Sequence, residues 1–211
     1  ELLGLDNLSL QALQFEELLD WQTGVGPFDY ILGRGLFSAL GNDAQTALLM
    51  WCRSVLAPAG VVFVDYATNP GAKAAEIVRD AIMLHAHDAT TEDEVKASAR
   101  AALTLFQSGI SGTNPLGPAL DQSSKAFASE LADDAGAPSP YLLGSNACYL
   151  VEFTDRAQQA GLAYVGDGLP LTELPQHYGQ NVALSQSLMA LGRPKVMRQQ
   201  YLDFAIGRAS R

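Results

Sequence analysis

The sequence lacks a run of apolar residues long enough to cross a membrane. Its richest apolar stretch, residues 61–66, is soon followed by Asn69-Pro70-Gly71, whereas a spanning helix needs about 18 or more apolar residues. The chain also lacks an initiator Met, a basic leader and a small-residue cleavage site, so its opening residues do not form a signal peptide. We expect no membrane association, and we expect the sequence to begin inside a longer protein.

Cysteine and positive charge are both scarce. Cys52 and Cys148 lie far apart and give neither metal-ligand spacing nor a disulfide framework, which indicates a reducing cytoplasm. Lysine and arginine number 13 against 23 aspartates and glutamates, for a formal net charge of -10. Because such a chain repels a phosphate backbone, we expect no nucleic acid ligand, whereas a basic protein partner would be tolerated or attracted.

Hydrophobic residues are plentiful, at 48% of the chain, and this content supports a core in one large domain or two small ones. Early in the chain, strand-like and helix-like patterns alternate, which predicts a parallel sheet. The continuous apolar character of the last strand implies cover on both of its faces. The predicted elements are a strand over 8–15 with Glu16-Glu17 at its exit, a strand over 28–32, an amphipathic helix over 43–57 and a strand over 61–66.

The pattern changes after Gly71, where helical periodicity dominates. Thr91 ahead of Glu94 predicts a capping box, and Gly161 sits where a C-cap glycine belongs. The chain therefore divides into an α/β part, residues 1–71, and a mainly helical part, residues 72–211. The predicted helices are 72–86, 92–107, 118–134, 149–160, 175–191 and 194–207, with one short strand at 162–165.

Helices of this length are marginal in water unless one face is buried. We therefore expect the helical part to form its own core. The expected core residues are Leu150, Phe153, Ala157, Tyr201 and Phe204.

Two groups of residues carry a resemblance to known proteins. Phe28-Asp29-Tyr30-Ile31-Leu32-Gly33-Arg34-Gly35, a helix, Leu56-Ala57-Pro58-Ala59-Gly60 and an apolar strand resemble the fourth strand, fourth helix and fifth strand of a class I S-adenosylmethionine-dependent methyltransferase. Later stretches resemble the predicted methyltransferase regulatory domain of bacterial proteins, some of which are similar to protein-lysine methyltransferases. These stretches are Arg79-Asp80, Met83-Leu84-His85-Ala86, Tyr149-Leu150-Val151-Glu152-Phe153, residues 160–165 and Arg198-Gln199-Gln200-Tyr201-Leu202-Asp203-Phe204.

The resemblance implies an α/β fold, with a partial Rossmann-like methyltransferase sheet followed by a mainly helical domain. It also implies methyl transfer from S-adenosylmethionine to protein side chains such as lysine. The family's glycine-rich loop after the first strand and the acidic residue after the second have no counterpart here. We therefore expect this chain alone to bind the cofactor weakly or not at all. We further expect its open sheet edge to be covered by the missing part of the fold or by another copy of the chain.

The expected cofactor-binding residues follow two strands. Ligands of open α/β sheets lie outside the carboxyl ends of the strands, so backbone groups of Gly33, Arg34 and Gly35 are expected to line the methionine end of the cofactor. A carboxylate suits an exocyclic amino group as a hydrogen-bond acceptor, so Glu16 or Glu17 is expected to accept from the adenine.

The expected acceptor-binding residues are Phe37, Tyr66 and Asn69, which belong to the same strand ends. Methyl transfer from a sulfonium needs chiefly alignment, a deprotonated acceptor and a site that excludes water. Since no charged catalytic group is strictly required, we assign no catalytic residue.

Plainer interpretations remain open for each of these motifs. Gly33-Arg34-Gly35 also suits a tight turn, Glu16-Glu17 a solvated loop, and Asn69-Pro70-Gly71 an ordinary turn. As a dinucleotide fingerprint the glycine motif is weak, because Ser38 stands at the sixth position and no acidic residue follows at a second strand end. His85 and His87 would point apart on a helix, so we expect no metal there.

A second hypothesis makes the chain a non-catalytic regulatory or interaction module, with the α/β part as a docking platform. A third hypothesis is a degenerate nucleotide-binding protein. The upstream sequence of the parent gene discriminates between the first two. A strand followed by a Gly-x-Gly loop and a later acidic residue would favour the enzyme.

Overall fold

A computed structural model describes residues 7–20, 26–132 and 146–211 of the chain. The α/β part contains α1 (Phe15–Asp20), β1 (Phe28–Gly33), a 3-10 turn (Phe37–Ala39), α2 (Asn42–Val55) and β2 (Leu56–Val64). The helices that follow are α3 (Lys73–His85), α4 (Glu92–Ser108), α5 (Gly117–Ala132), α6 (Leu150–Gln159), α7 (Gln180–Met189) and α8 (Lys195–Ile206), with 3-10 turns at Pro170–Glu173 and Pro175–Tyr178. The last two residues of the predicted helix 118–134 lie outside the described residues.

Strands β1 and β2 pair in parallel, with Tyr30 opposite Val61 and Leu32 opposite Phe63. Helix α2 connects them, so the predicted parallel arrangement is confirmed. Strand β2 begins earlier than predicted, because Leu56 already pairs with Phe28 across an irregularity in the register. Gly60 lies at this irregularity. A Cβ there would come within 2.8 Å of the Phe28 carbonyl oxygen, so the close approach of the two backbones requires glycine.

The sheet is covered on one face only within the described residues. Ile31, Val62 and Val64 pack against the first hydrophobic cluster, whereas Tyr30 and Leu32 on the other face are 75% and 73% exposed. The prediction of cover on both faces is therefore wrong for the described residues. The physical reason is that α2 and α6 pack against the inner face. On the outer face, Gly168 lies close to the ring of Phe63.

Two predicted strands are not formed. Residues 8–14 have no regular structure, and Phe15 begins the short helix α1. The spacing of Phe15, Leu18 and Leu19 suits a helix, and these side chains pack against the first cluster. Residues 162–165 form a loop instead of a strand. There the Val165 carbonyl accepts a hydrogen bond from Lys195 Nζ at 2.7 Å and pairs with no strand.

The helices after β2 agree with the predicted pattern, apart from their ends. Thr91 and Glu94 form the predicted capping box, and Gly161 takes a φ of 78° behind α6, as a C-cap glycine does. The predicted helix 175–191 is interrupted at Gly179, which has a φ of 102° and separates a 3-10 turn from α7. No described helix is long and apolar enough to span a membrane.

Most of the described buried apolar residues belong to two clusters. The first joins the inner face of the sheet to α2 and α6, and the second lies among α3, α4 and α5. The first cluster draws residues from both sides of position 71, because Cys148 and Ala157 belong to it together with Phe37 and Tyr66. The division of the chain at residue 71 stays a prediction.

The predicted core residues of the helical part differ in burial. Leu150 and Ala157 are buried, Phe153 and Tyr201 are partly buried, and Phe204 is 53% exposed, so its assignment to the core is wrong. Helix α8 turns Leu202 and Asp203 inward instead, both at 0% exposure. Phe204 contacts the ring of Tyr149, with the centroids 5.6 Å apart.

Candidate functional site

The carboxyl ends of β1 and β2 lie side by side and are joined by the motif after β1. Asp65 N donates to the Gly33 carbonyl at 3.1 Å, and Gly35 N donates to Asp65 Oδ1 at 2.6 Å. Gly35 has a φ of 68°, a conformation that favours glycine. The motif is thus a tight turn, held by the residue that follows β2, at the edge of the sheet where ligands of such folds bind.

Asp65 is a residue that sequence reasoning did not single out. Its carboxylate accepts from the Gly35 amide and lies 3.7 Å from Arg34 Nε. The only signal in the sequence was an acidic residue at the end of an apolar strand, and its partner was thirty positions away in the chain. We regard Asp65 as the residue that sets the shape of the Gly33-Arg34-Gly35 turn.

Phe37 and Tyr66, two of the predicted acceptor-binding residues, meet in an aromatic cluster with Phe153. The Tyr66 and Phe153 rings stack at 4.3 Å, and Phe37 lies edge-on to both at 5.8 and 5.3 Å. Phe37 is 0% exposed and Tyr66 is 6% exposed. The predicted residues therefore lie together, behind the strand ends, and their side chains form part of the first cluster.

Two polar atoms in this region are buried without a hydrogen-bond partner among the described residues. They are the Tyr66 hydroxyl and Asn69 Oδ1, and Asn69 is 4% exposed. Burial raises the pKa of the Tyr66 phenol well above its usual value, so this hydroxyl is a neutral donor. Buried polar groups are nearly always paired in proteins, and Trp51 Nε1 and Gln199 Oε1 elsewhere in the chain also have no partner among the described residues.

The backbone around Asn69 is fixed by the segment that precedes α6. Asn69 N donates to the Cys148 carbonyl at 3.1 Å, and Cys148 N donates to the Ala67 carbonyl at 3.3 Å. On the other side, Ala67 N donates to Ser38 Oγ at 2.7 Å. We call the segment after β2, residues 65–71, the β2 exit. It is therefore held between the turn after β1 and the start of α6.

Glu16 and Glu17 are not at the end of a strand. Both lie in the first turn of α1 and are exposed, and Glu17 Oε2 accepts from Gln14 N at 2.8 Å. Helix α1 packs through Phe15, Leu18 and Leu19. No described hydrogen bond joins either glutamate to the Gly33-Arg34-Gly35 turn, so the assignment of both to the adenine stays a prediction.

The remaining histidines and cysteines form no common site. Within residues 7–20, 26–132 and 146–211 there is no group of three His, Cys, Asp or Glu side chains arranged to hold a metal. His87 pairs with its neighbour Asp88 at 3.0 Å. Cys52 and Cys148 are free and buried, and burial raises the pKa of their thiols to about 11 and about 12.

Comparison with known proteins supports the resemblance predicted from the sequence. Residues 143–211 match the family described as "Predicted methyltransferase regulatory domain", which confirms that part of the predicted resemblance. The fold, a small parallel sheet with helices, matches that of a solved methyltransferase structure. The predicted fold class, α/β with a partial Rossmann-like methyltransferase sheet followed by a mainly helical domain, is therefore confirmed as a mixed α/β fold with a small parallel two-stranded sheet.

Two solved structures of PKMT2 from Rickettsia typhi are similar to this chain. The structure in complex with AdoHcy is similar over 98% of this chain, with a TM-score of 0.74 and 26% sequence identity. A second PKMT2 structure from the same organism gives 0.72 and 25% over the same share. This chain spans 38% of the length of either structure.

Two curated relatives come from another species of Rickettsia. An uncharacterized protein of Rickettsia prowazekii (strain Madrid E) is 26% identical over 155 residues, which is 72% of this chain and 60% of that protein. Another is 23% identical over an alignment of 223 positions that covers 99% of this chain and 37% of that protein. The chain therefore spans 60% and 37% of the length of these two relatives, which is less than two thirds in both cases.

Proposed function

We propose that this chain is the second part of a bacterial S-adenosylmethionine-dependent methyltransferase that modifies protein side chains such as lysine. The observation that carries the proposal is the similarity over 98% of the chain to PKMT2 in complex with AdoHcy. The regulatory-domain match over residues 143–211 supports it. The free, buried cysteines fit a reducing cytoplasm as the place of action.

S-adenosylmethionine would bring the reactive methyl group, and this chain would hold part of the cofactor. The backbone of Gly33, Arg34 and Gly35 lies at the strand ends, where the methionine end of the cofactor would bind. Glu16 and Glu17 are exposed carboxylates that accept hydrogen bonds. The rest of the binding groups would come from the part of the relatives that this chain does not span.

The acceptor side of the site would be formed by Phe37, Tyr66 and Asn69. The unpartnered Tyr66 hydroxyl and Asn69 Oδ1 are suited to a donor and an acceptor role toward an incoming amine or its peptide. The aromatic rings beside them exclude water, which favours a deprotonated nucleophile. The net charge of -10 favours approach of a basic protein substrate.

A second candidate function, a non-catalytic interaction module, is favoured by one observation. The outer face of the sheet exposes Tyr30, Leu32 and Val61, and apolar faces of this kind mark interaction surfaces. In the methyltransferase proposal the same face is covered by the remainder of a longer protein or by a second copy of the chain. The two functions differ in whether the assembled protein transfers a methyl group.

The test is methyl transfer by the full-length product of the parent gene. Purified protein would be incubated with S-adenosylmethionine labelled on its methyl group and with a bacterial protein extract, and labelled proteins would be hydrolysed to identify methyl-lysine. We expect labelled lysine, and we expect Asn69→Ala to raise the KM for the protein acceptor without changing the affinity for the cofactor. Asn114→Ala, in the loop between α4 and α5, serves as the matched control. Absence of any label transfer by the folded protein would leave the interaction module as the better account.

A further inference from the structure

A short segment after α8, residues 207–211, lies against the exit of β2. The two stretches run antiparallel, and Ala67 and Ser210 form a β-bridge. Tyr66 N donates to Arg211 O at 2.8 Å, and Arg211 N donates to Tyr66 O at 2.9 Å. Thr68 N donates to Ala209 O and Gly71 N donates to Arg208 O, both at 2.9 Å. We call residues 207–211 the clamp, because its backbone holds the segment that carries Tyr66 and Asn69.

The clamp is held in turn by a buried ion-pair network. Arg211 bonds both oxygens of Asp203, at 2.6 and 2.9 Å, and reaches Asp167 Oδ1 at 2.7 Å. Arg208 lies 2.9 Å from Asp167 Oδ2 and 3.0 Å from Asp203 Oδ1. The side chains of Arg211, Asp203, Arg208 and Asp167 are 2%, 0%, 9% and 10% exposed. Pairs buried to this degree are geometrically demanding and fix the groups that carry them.

The clamp and the β2 exit are in close contact at Gly71. A Cβ added at Gly71 would overlap the backbone of Gly207 and Arg208. The clamp and its two aspartates all belong to residues 143–211, which match the regulatory domain, whereas Tyr66 and Asn69 precede that domain. We call residues 143–211 the regulatory region. Its backbone thus contacts the backbone of the proposed acceptor residues directly.

We propose that the clamp positions the acceptor side of the active site, so that the regulatory region controls acceptor binding through Arg208 and Arg211. This inference rests on the proposed function. Arg208 and Arg211 act as positioning residues, since they touch the backbone and the aspartates rather than the cofactor. Loosening the network lets the β2 exit move and displaces Tyr66 and Asn69, while the Gly33-Arg34-Gly35 turn keeps its own bond to Asp65.

The first experiment uses the 211-residue chain and does not depend on methyl transfer. Arg211→Lys keeps the charge but loses the paired hydrogen bonds to Asp203, and Asp167→Asn removes one charge with little change in shape. We expect amide hydrogen exchange at Tyr66, Thr68 and Gly71 to become faster by about tenfold or more in either variant, with exchange in α4 unchanged. Lys73→Gln is the control, because its pair with Glu76 lies just after the same segment but is exposed. Unchanged exchange at these three amides, or failure of both variants to fold, would overturn the proposal.

The second experiment uses the full-length gene product. In Arg211→Lys we expect the KM for the protein acceptor to rise by about tenfold, with the KM for S-adenosylmethionine unchanged. A merely structural role would lower stability and shift both constants together, and that result would contradict the proposal. If the gene product transfers no methyl group, the proposed function fails, and the exchange experiment alone decides whether the clamp holds the β2 exit.

Discussion

Neighbouring residues of α8 have opposite environments. Leu202 is 0% exposed and Phe204 is 53% exposed, although the larger aromatic residue was the one predicted to be buried. The reason is the direction in which the helix packs. The buried residues Gln199, Gln200, Leu202 and Asp203 share the inward face, and helical periodicity alone does not show which face a helix of mixed composition turns inward.

A pair of substitutions tests these environments. Leu202→Ala removes a buried side chain and is expected to lower the free energy of unfolding by about 2 to 5 kcal/mol. Phe204→Ala removes a half-exposed ring and is expected to cost about 1 kcal/mol or less. Urea denaturation of both variants measures the difference. Equal losses would mean that Phe204 is covered in solution by a contact that the structure does not show.

The cysteines give a second prediction at the residue scale. Burial raises the pKa of Cys52 to about 11 and of Cys148 to about 12, and the thiolate is the reactive form. We expect neither thiol to react with iodoacetamide in the native chain at mildly alkaline pH, and both to react in urea. Mass spectrometry counts the modified sites. Rapid labelling of the native protein would show that this part of the first cluster opens.

At the scale of elements, the end of α6 depends on one glycine. Gly161 has a φ of 78°, and an L-residue in this conformation costs about 1 to 2 kcal/mol. A Cβ there would make ordinary contacts with Arg53, so the cost comes from the backbone. We expect Gly161→Ala to lower the unfolding free energy by that amount.

Gly112→Ala is the matched control for this glycine, since a Cβ at Gly112 meets nothing within 4 Å and its φ is not positive. Thermal unfolding of the two variants gives the comparison. A similar melting temperature for both would show that α6 can end without the left-handed residue.

Most elements were predictable because their signals are local. Helical periodicity predicted α2 to α6 and α8 to within a few residues, and the Thr91–Glu94 box was visible as spacing alone. The strand over 8–15 was wrong because its alternation is short and its last residue, Phe15, begins a helical pattern with Leu18 and Leu19. The loop at 162–165 has apolar residues, but it pairs with no strand in the part of the chain that the structure describes, and pairing depends on the rest of the fold.

At the scale of the whole molecule, the two hydrophobic clusters share no residue. One joins the sheet to α2 and α6, and the other lies among α3, α4 and α5. Since a cluster with its own core can unfold as a unit, we expect the chain to unfold in two steps.

Two fully buried residues report on the two steps. Ile82→Ala should lower the transition of the three-helix cluster, and Leu49→Ala should lower that of the cluster that joins the sheet to α2 and α6, each by about 2 to 5 kcal/mol. Residue-specific hydrogen exchange under native conditions separates the two. A single transition that shifts equally in both variants would show one cooperative unit.

The candidate site was predictable only in part. The Gly33-Arg34-Gly35 turn followed from a strand and two glycines, and Tyr66 and Asn69 followed from the end of the next strand. Asp65 and the clamp arginines were not predictable, because Asp65 accepts from Gly35, thirty positions away, and both arginines pair with Asp167, 41 and 44 positions away. Contacts of this kind depend on how the chain returns on itself, and no single-sequence pattern records that.

We propose that this chain carries only part of a methyltransferase cofactor site. Calorimetric titration of the 211-residue chain and of the full-length gene product with S-adenosylmethionine tests it most directly. Loss of several hydrogen bonds to charged groups, each worth about 1.5 to 3 kcal/mol, moves a micromolar site beyond the millimolar range. We therefore expect no measurable binding by the chain alone and micromolar binding by the full-length protein. Low-micromolar binding by the monomeric chain, or none by the full-length protein, would contradict the account.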